Sequence, residues 1–194
     1  METMSEPRAT DIARVRRRDR AVEDEAWIRA FLHRAPMCFL ATVSDGQPFI
    51  NPNLFYFDEA GHRVYLHTGL RGRTRANIEG DGRVCLTVAE MGRLLPGEVL
   101  ADYSTEYASV VIFGRAKVVG DPAEVRYALQ HQIDKYFPHL RPERDYEPFT
   151  DRESARADVF RVEIERWSAK LHQEPADHPG AFWHPEALFK RDAG

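Results

Sequence analysis

Apolar and polar residues alternate in short runs along the first 120 residues, and Asp/Gly turns separate the runs. "MCFLATV" leads through "SDGQ" into "QPFINPNLFYF", which leads through "DEAGH" into "RVYLHT", a spacing that predicts three antiparallel strands in a meander. "RVCLTVAEM" predicts a fourth strand, with Val84, Leu86 and Val88 on one face. A Gly- and Pro-containing loop, "GRLLPGEVLADYS", precedes the longest strand signal, "EYASVVIFGRAKVVG". There Val110, Ile112, Ala116 and Val118 share one face, and Tyr107, Ser109, Arg115 and Lys117 share the other. After the polar loop "RPERDYEPFTDRESARA", a sixth strand is predicted in "DVFRVEIERWSAKLHQ", with Phe160, Val162 and Ile164 inward and Arg161, Glu163 and Glu165 outward.

Elsewhere the period is that of a helix. From Glu23 to Ala35 the residues Ala26, Trp27, Ala30 and Phe31 recur at helical spacing, with Asp24 placed to cap the first turn and Trp27 expected in the core. Gly72 to Gly80 predicts a short helix directly after the third strand. Asp121-Pro122-Ala123-Glu124 combines a cap, a first-turn proline and a capping-box acid, and Val125, Leu129 and Ile133 supply the stripe to be buried. Six strands with two or three helices fit a small antiparallel barrel better than a parallel α/β sheet. No G-x-G-x-x-G run follows a strand, and no segment recurs at a fixed period.

With 194 residues, 43% of them hydrophobic, the chain can bury one sizeable core. The expected organisation is a flexible arm over 1–20, one domain over 21–173 and a tail over 174–194 whose Phe182, Trp183 and Phe189 are too apolar to stay free. A net charge of −4 and a pI near 6.1 argue against duplex nucleic acid as the main partner. "RVRRRDR" is accordingly expected to be a solvated arm against a partner subunit. Cys38 and Cys85 sit inside strand runs as small buried thiols, too few for a disulfide framework or a zinc site, and no metal-ligand spacing links the histidines. No apolar stretch approaches the about 18 residues of a membrane span, and the N-terminus lacks a signal-peptide core, so a cytoplasmic protein with no membrane partner is expected.

The stretch "LHTGLRGRTRANIEG" stands out chemically. His67 and Thr68 close the third strand, and Arg71, Arg73 and Arg75 crowd the entry to the following helix. Since 23 of the 27 basic residues are arginine, only such clusters carry information. A helix N-terminus offers unpaired N–H groups and a favourable dipole, to which arginines add charge-assisted contacts, so the stretch fits a phosphate-like anion. It equally fits a turn solvated by arginines.

The blocks "RRRDRAVEDEAWIRAFL", "MCFLATVSDGQPFINPNLFYF", "RVYLHTGLRGRTRANI", "EYASVVIFGRAKVV" and "FRVEIERWSAK", in this order and spacing over roughly residues 16 to 173, resemble the pyridoxamine 5′-phosphate oxidase-like superfamily of FMN-binding split barrels, most closely its nitroimidazole-resistance branch. The resemblance implies a homodimer of six-stranded antiparallel split barrels with FMN at the interface. It places Asn53 and Leu54 along the isoalloxazine and His67 and Thr68 near the ribityl chain or ring. Arg73 and Thr74 would bind the phosphate with Asn77 nearby, and Ser109, Trp167 and Lys170 would reach across from the second subunit. Many members carry lysine at the position of Thr74, a loss for which Arg71 and Arg75 are the candidates to compensate. Pro52 stands where the vitamin B6 oxidases carry arginine, which argues against that substrate.

The function so implied is an FMN-dependent oxidoreductase that uses NAD(P)H to reduce a small acceptor such as a 5-nitroimidazole. No side chain is assigned as a catalytic acid, and His67 is the side chain expected to touch the ligand. The competing readings are a protein that holds flavin, haem or a small anion without turnover, and a structural dimer whose basic arm contacts nucleic acid.

Overall fold

The computed structural model of the chain describes residues 12–150 and 156–184. Its strands are β1 (Ala21–Val22), β2 (Cys38–Ser44), β3 (Gln47–Asn53), β4 (Phe55–Asp58), β5 (Arg63–Gly69), β6 (Arg83–Leu95), β7 (Ser104–Val118) and β8 (Ala157–His172), and its helices are α1 (Glu25–Arg34), α2 (Arg73–Gly80) and α3 (Pro122–Tyr136). Every strand pairing is antiparallel, in the order β3-β2-β6-β7-β8-β5-β4, with β1 beside the end of β8.

This is the expected mainly-β split barrel, with eight strands among the described residues rather than six. Ala21–Val22 adds a two-residue strand, and the run "QPFINPNLFYF" divides at Leu54 into β3 and β4. That division is topological. β3 and β4 are consecutive in sequence but lie at opposite ends of the sheet, so Leu54 alone joins its two edges. Asn53 and Phe55 are at most about 7.6 Å apart, two Cα steps, and the sheet must curl until its edges meet. No ladder pairs β3 with β4 or β5, which leaves a seam.

Curling puts one face of every long strand inside. Leu40, Phe55, Phe57, Val64, Leu66, Leu86, Val88, Val110, Ile112, Phe160 and Val162 fill the barrel, and α1 closes it with Ile28, Phe31 and Leu32. Each such side chain contributes about 1.5–3 kcal/mol by leaving water. The stripe of α1 therefore differs from the one predicted: Ala26 and Ala30 are exposed, and Trp27 is half-buried, stacked on Phe31.

α3 covers the outer face of β5, where Tyr65 joins Val125, Ala128, Leu129 and Val159 in a second cluster. Asp121 caps it as predicted, accepting from Ala123 N at 3.1 Å. Glu124 makes no capping box; its carboxylate accepts from Tyr65 Oη at 2.7 Å and from Arg161 at 2.5 Å. The buried stripe ends in Gln132, with Ile133 only half-buried.

The predicted "SDGQ" turn is a two-residue hairpin, with Asp45 and Gly46 at φ 51° and 74°. Gly114 has a different reason to be glycine: a Cβ there would lie 2.1 Å from the Glu163 carbonyl oxygen, where the β7–β8 register shifts. β6 runs through Gly92–Leu95, beyond its predicted end, because distant partners hold it. Arg93 pairs with Glu106 and donates to the carbonyls of Glu174, Pro175 and Ala176, while Leu94 and Phe182 exchange backbone bonds. Phe189 and residues 1–11 lie outside the described residues; Val15, within the predicted arm, is buried. No described helix is long and apolar enough to cross a membrane.

At the seam, Phe55 N donates to the Tyr136 hydroxyl at 3.0 Å and that hydroxyl donates to Phe55 O at 3.2 Å. Lys135 sits 3.5 Å from the Phe55 ring centre and donates to Leu32 O at 3.4 Å. Burial pushes its ammonium down to about 8 from the usual 10.5, and pushes the neighbouring Cys38 thiol up to about 12.

Two outcomes follow for the seam. Tyr136→Phe leaves both backbone groups of Phe55 without that partner and should lower the unfolding free energy by about 1–3 kcal/mol in urea; an unchanged midpoint would refute the role given to Tyr136. Because Lys135 binds its proton less readily when folded, stability should rise as pH climbs from about 8 to 10.5. Wild type should therefore gain on Lys135→Met across that window, and parallel pH profiles would overturn the reading.

Candidate functional site

β5 ends at Gly69, and the chain turns through Leu70, Arg71 and Gly72 into α2. Arg71 holds φ at 73°, a left-handed conformation that is unfavourable for a side chain of its size. Among the described residues no side chain caps the helix, whose first backbone bond runs from Ala76 N to Gly72 O. The N–H groups of Arg73, Thr74 and Arg75 thus lie ahead of the intrahelical ladder, where the helix dipole favours an anion.

The three arginines are not equivalent. Arg75 bonds Glu79 at 2.9 Å and the buried Asp158 at 2.5 Å, so it cannot compensate for the missing lysine at Thr74. Arg71 and Arg73 are exposed and form no ion pair among the described residues. The Arg73 guanidinium lies over the Phe49 ring of β3, 5.3 Å from its centre. The other Asp158 oxygen is buried with no hydrogen-bond partner among the described residues.

Thr74 and Asn77, expected at the phosphate, are buried and committed elsewhere. Thr74 Oγ1 accepts from Asn51 Nδ2 at 3.1 Å, and Asn77 Nδ2 donates to Thr42 Oγ1 at 2.8 Å. Their side chains dock α2 onto β3 and β2, and Thr74 retains its backbone N–H for an anion. Asn53, half-buried, donates to Asn51 O at 3.2 Å, and the neighbouring Leu54 is exposed at the seam. Successive strand residues face opposite ways, so His67 and Thr68 diverge. His67 Nδ1 lies 2.6 Å from Gln132 Oε1 on α3, while Thr68 Oγ1 donates to Gly69 O at 3.1 Å.

The three residues expected from a second subunit do not form one group. Ser109 and Lys170 are directly paired on the outer face of β7 and β8. Trp167 points inward, 4.8 Å from His62 and 6.4 Å from Phe57 between ring centres, with Arg29 over its ring at 5.3 Å. An odd separation along a strand decides this. Lys170 is also remote from Thr68 within one chain: Thr68 pairs with Asp158, and the strand from there to Lys170 is on the order of 40 Å long.

Beside the site lies an apolar face that nothing covers among the described residues. Phe39, Val43 and Ile50 are exposed, and the register sets Phe39 opposite Pro52, Ala41 opposite Ile50 and Val43 opposite Pro48. Sequence reasoning did not single out Phe49, Asn51, Gln132 or Asp158. Their signals were present: Phe49, Asn51 and Asn53 share one face of β3, Gln132 falls in an apolar helical stripe, and Asp158 shares the inward parity of Phe160.

Arg71→Gly removes the strained residue and should leave the melting temperature unchanged or raised, because glycine adopts this backbone freely. A fall of several degrees would contradict the assigned backbone conformation.

A family model described as Pyridoxamine 5′-phosphate oxidase matches residues 24–171. Among solved structures the chain is similar to the flavocytochrome Anf3 from Azotobacter vinelandii, at 25% identity and a TM-score of 0.70 over 83% of this chain and 73% of that one. It is similar to an FAD- and haem-binding protein from Mycobacterium smegmatis, at 21% identity and a TM-score of 0.69 over 80% and 74%. A candidate 5-nitroimidazole antibiotic resistance protein from Bacteroides thetaiotaomicron shares the fold at 23% identity and a TM-score of 0.64 over 78% and 86%. No curated protein matches the chain.

Proposed function

The chain belongs to the pyridoxamine 5′-phosphate oxidase family, and we propose that it is a cytoplasmic homodimeric flavoprotein that holds FMN at the barrel seam and reduces a small acceptor, such as a nitroaromatic compound, with NAD(P)H. The observation that carries the reading is the N-terminus of α2, without a side-chain cap among the described residues, beside two exposed arginines, Arg71 and Arg73, that form no ion pair among them. Backbone N–H groups and guanidinium donors match the charge and oxygen geometry of a terminal phosphate. Asn53, Leu54 and His67 would lie along the rest of the cofactor.

Bound flavin would supply the redox chemistry; the protein binds and orients it and screens it from water. The apolar face of β2 and β3 supports the dimer, because a contiguous exposed patch of this kind favours burial against a partner. A second copy would bring Ser109 and Lys170 to a site that one chain leaves open. Pyridoxamine 5′-phosphate is not the proposed substrate, since Pro52 has no charge to offer it.

The engagement of Arg75 by Asp158 favours one second reading, in which fewer cations face the phosphate and the protein carries flavin or haem without turnover. The similarity to a flavocytochrome and to an FAD- and haem-binding protein supports it as well.

The test is an absorbance titration with FMN of wild type and Arg73→Ala. Saturable binding, weakened about tenfold or more in the variant as expected for a charge-assisted contact, would support the proposal, and reduction of the bound flavin by NADH or NADPH would favour turnover. Absence of FMN binding by wild type would refute it and direct the same titration to haem.

A further inference from the structure

Gln132 is a polar residue in the buried stripe of α3, only 5% exposed. Its amide bridges two positions of β5: Nε2 donates to the Tyr65 carbonyl at 3.2 Å, and Oε1 lies 2.6 Å from His67 Nδ1. Chemistry fixes the orientation. The Tyr65 carbonyl can only accept, so the NH2 of the amide must face it; turned over, two oxygens would confront each other out of water. Oε1 therefore faces His67, and because an amide oxygen can only accept, Nδ1 carries the proton. In the neutral ring Nε2 is then a bare acceptor, and it has no partner among the described residues.

We propose that Gln132 is a positioning residue that locks His67 in its Nδ1–H tautomer, so that Nε2 accepts a hydrogen bond from a donor on the ligand. Such a site selects a hydroxyl or ring N–H and disfavours a phosphate or carbonyl oxygen at the same place. The phosphate is thus left to Arg71, Arg73 and the α2 amides, and His67 takes a donor group such as a hydroxyl of the polyol chain. The identity of that ligand rests on the flavin reading above; the tautomer does not.

The experiment uses full-length protein labelled with 15N-histidine, read by long-range 1H–15N correlation, with the His67 ring identified by its loss in His67→Asn. Wild type should show a protonated Nδ1 and a bare Nε2. Gln132→Glu keeps an acceptor and should keep the Nδ1 proton, whereas Gln132→Met should shift the ring toward the Nε2–H form. A bare Nδ1 in wild type, or an unchanged pattern in Gln132→Met, would overturn the proposal. A merely structural role would lower the melting temperature of both variants without moving the tautomer. Should Gln132→Met not fold, wild type and Gln132→Glu still decide the matter.

FMN titration of the same proteins separates the two readings. Gln132→Met should bind about fivefold more weakly, the worth of one neutral hydrogen bond, and equal affinity despite a shifted tautomer would refute the ligand contact. If wild type binds no FMN, the flavin reading fails while the tautomer assignment is still decided by the spectra.

Discussion

One covalent constraint organises the molecule: Leu54 alone separates two strands that occupy opposite edges of the sheet. Backbone reach then forces the edges together, which buries one face of every long strand and gives the chain its single main core. The same constraint denies the edges a ladder, and unpaired backbone beside a core needs other partners. Tyr136 provides them for Phe55, bonding both of its backbone groups. The seam is therefore where the barrel depends most on side chains, and it is also where Asn53, Leu54 and the docked α2 assemble.

α3 and α2 divide the work around that seam. α3 covers Tyr65, bonds Phe55 through Tyr136 and bonds His67 through Gln132, so one helix ties the core to the site. α2 is docked by two polar pairs, the buried Thr74 with the half-buried Asn51 and the buried Asn77 with the buried Thr42. Removing Asn51, or either member of the Asn77–Thr42 pair, leaves a buried polar group without this partner. The two pairs hold the helix so that its N-terminus stays beside Arg71 and Arg73. Charge is apportioned with equal economy: Asp158 neutralises Arg75, and the field of the other two arginines stays local in a chain of net charge −4.

Much of this was legible in the chain. Period-two alternation marked β5, β6, β7 and β8, a short apolar run marked β2, Asp45-Gly46 marked a hairpin, and Asp24 and Asp121 marked helix starts. The cluster of arginines after a strand marked the candidate site, and five sequence blocks marked the family. The inward side of Trp167 was not legible: alternation from Phe160, Val162 and Ile164 would place it outward, and the register shift at Glu165 puts Trp167, Ala169 and Leu171 on the core side.

Those features are local: they follow from side-chain periodicity, turn chemistry and caps, which a few neighbouring residues settle among themselves. Tertiary structure decided the rest. That "QPFINPNLFYF" is two strands depends on the distant pairings of β2 with β6 and of β5 with β8, which carry its halves to opposite ends of the sheet. That Glu124 serves Tyr65 and Arg161 instead of its own helix, that Arg75 belongs to Asp158 and that Gln132 orients His67 all depend on groups far away in sequence. A polar side chain takes whichever partner the fold brings within reach, and spacing along the chain does not say which partner that is.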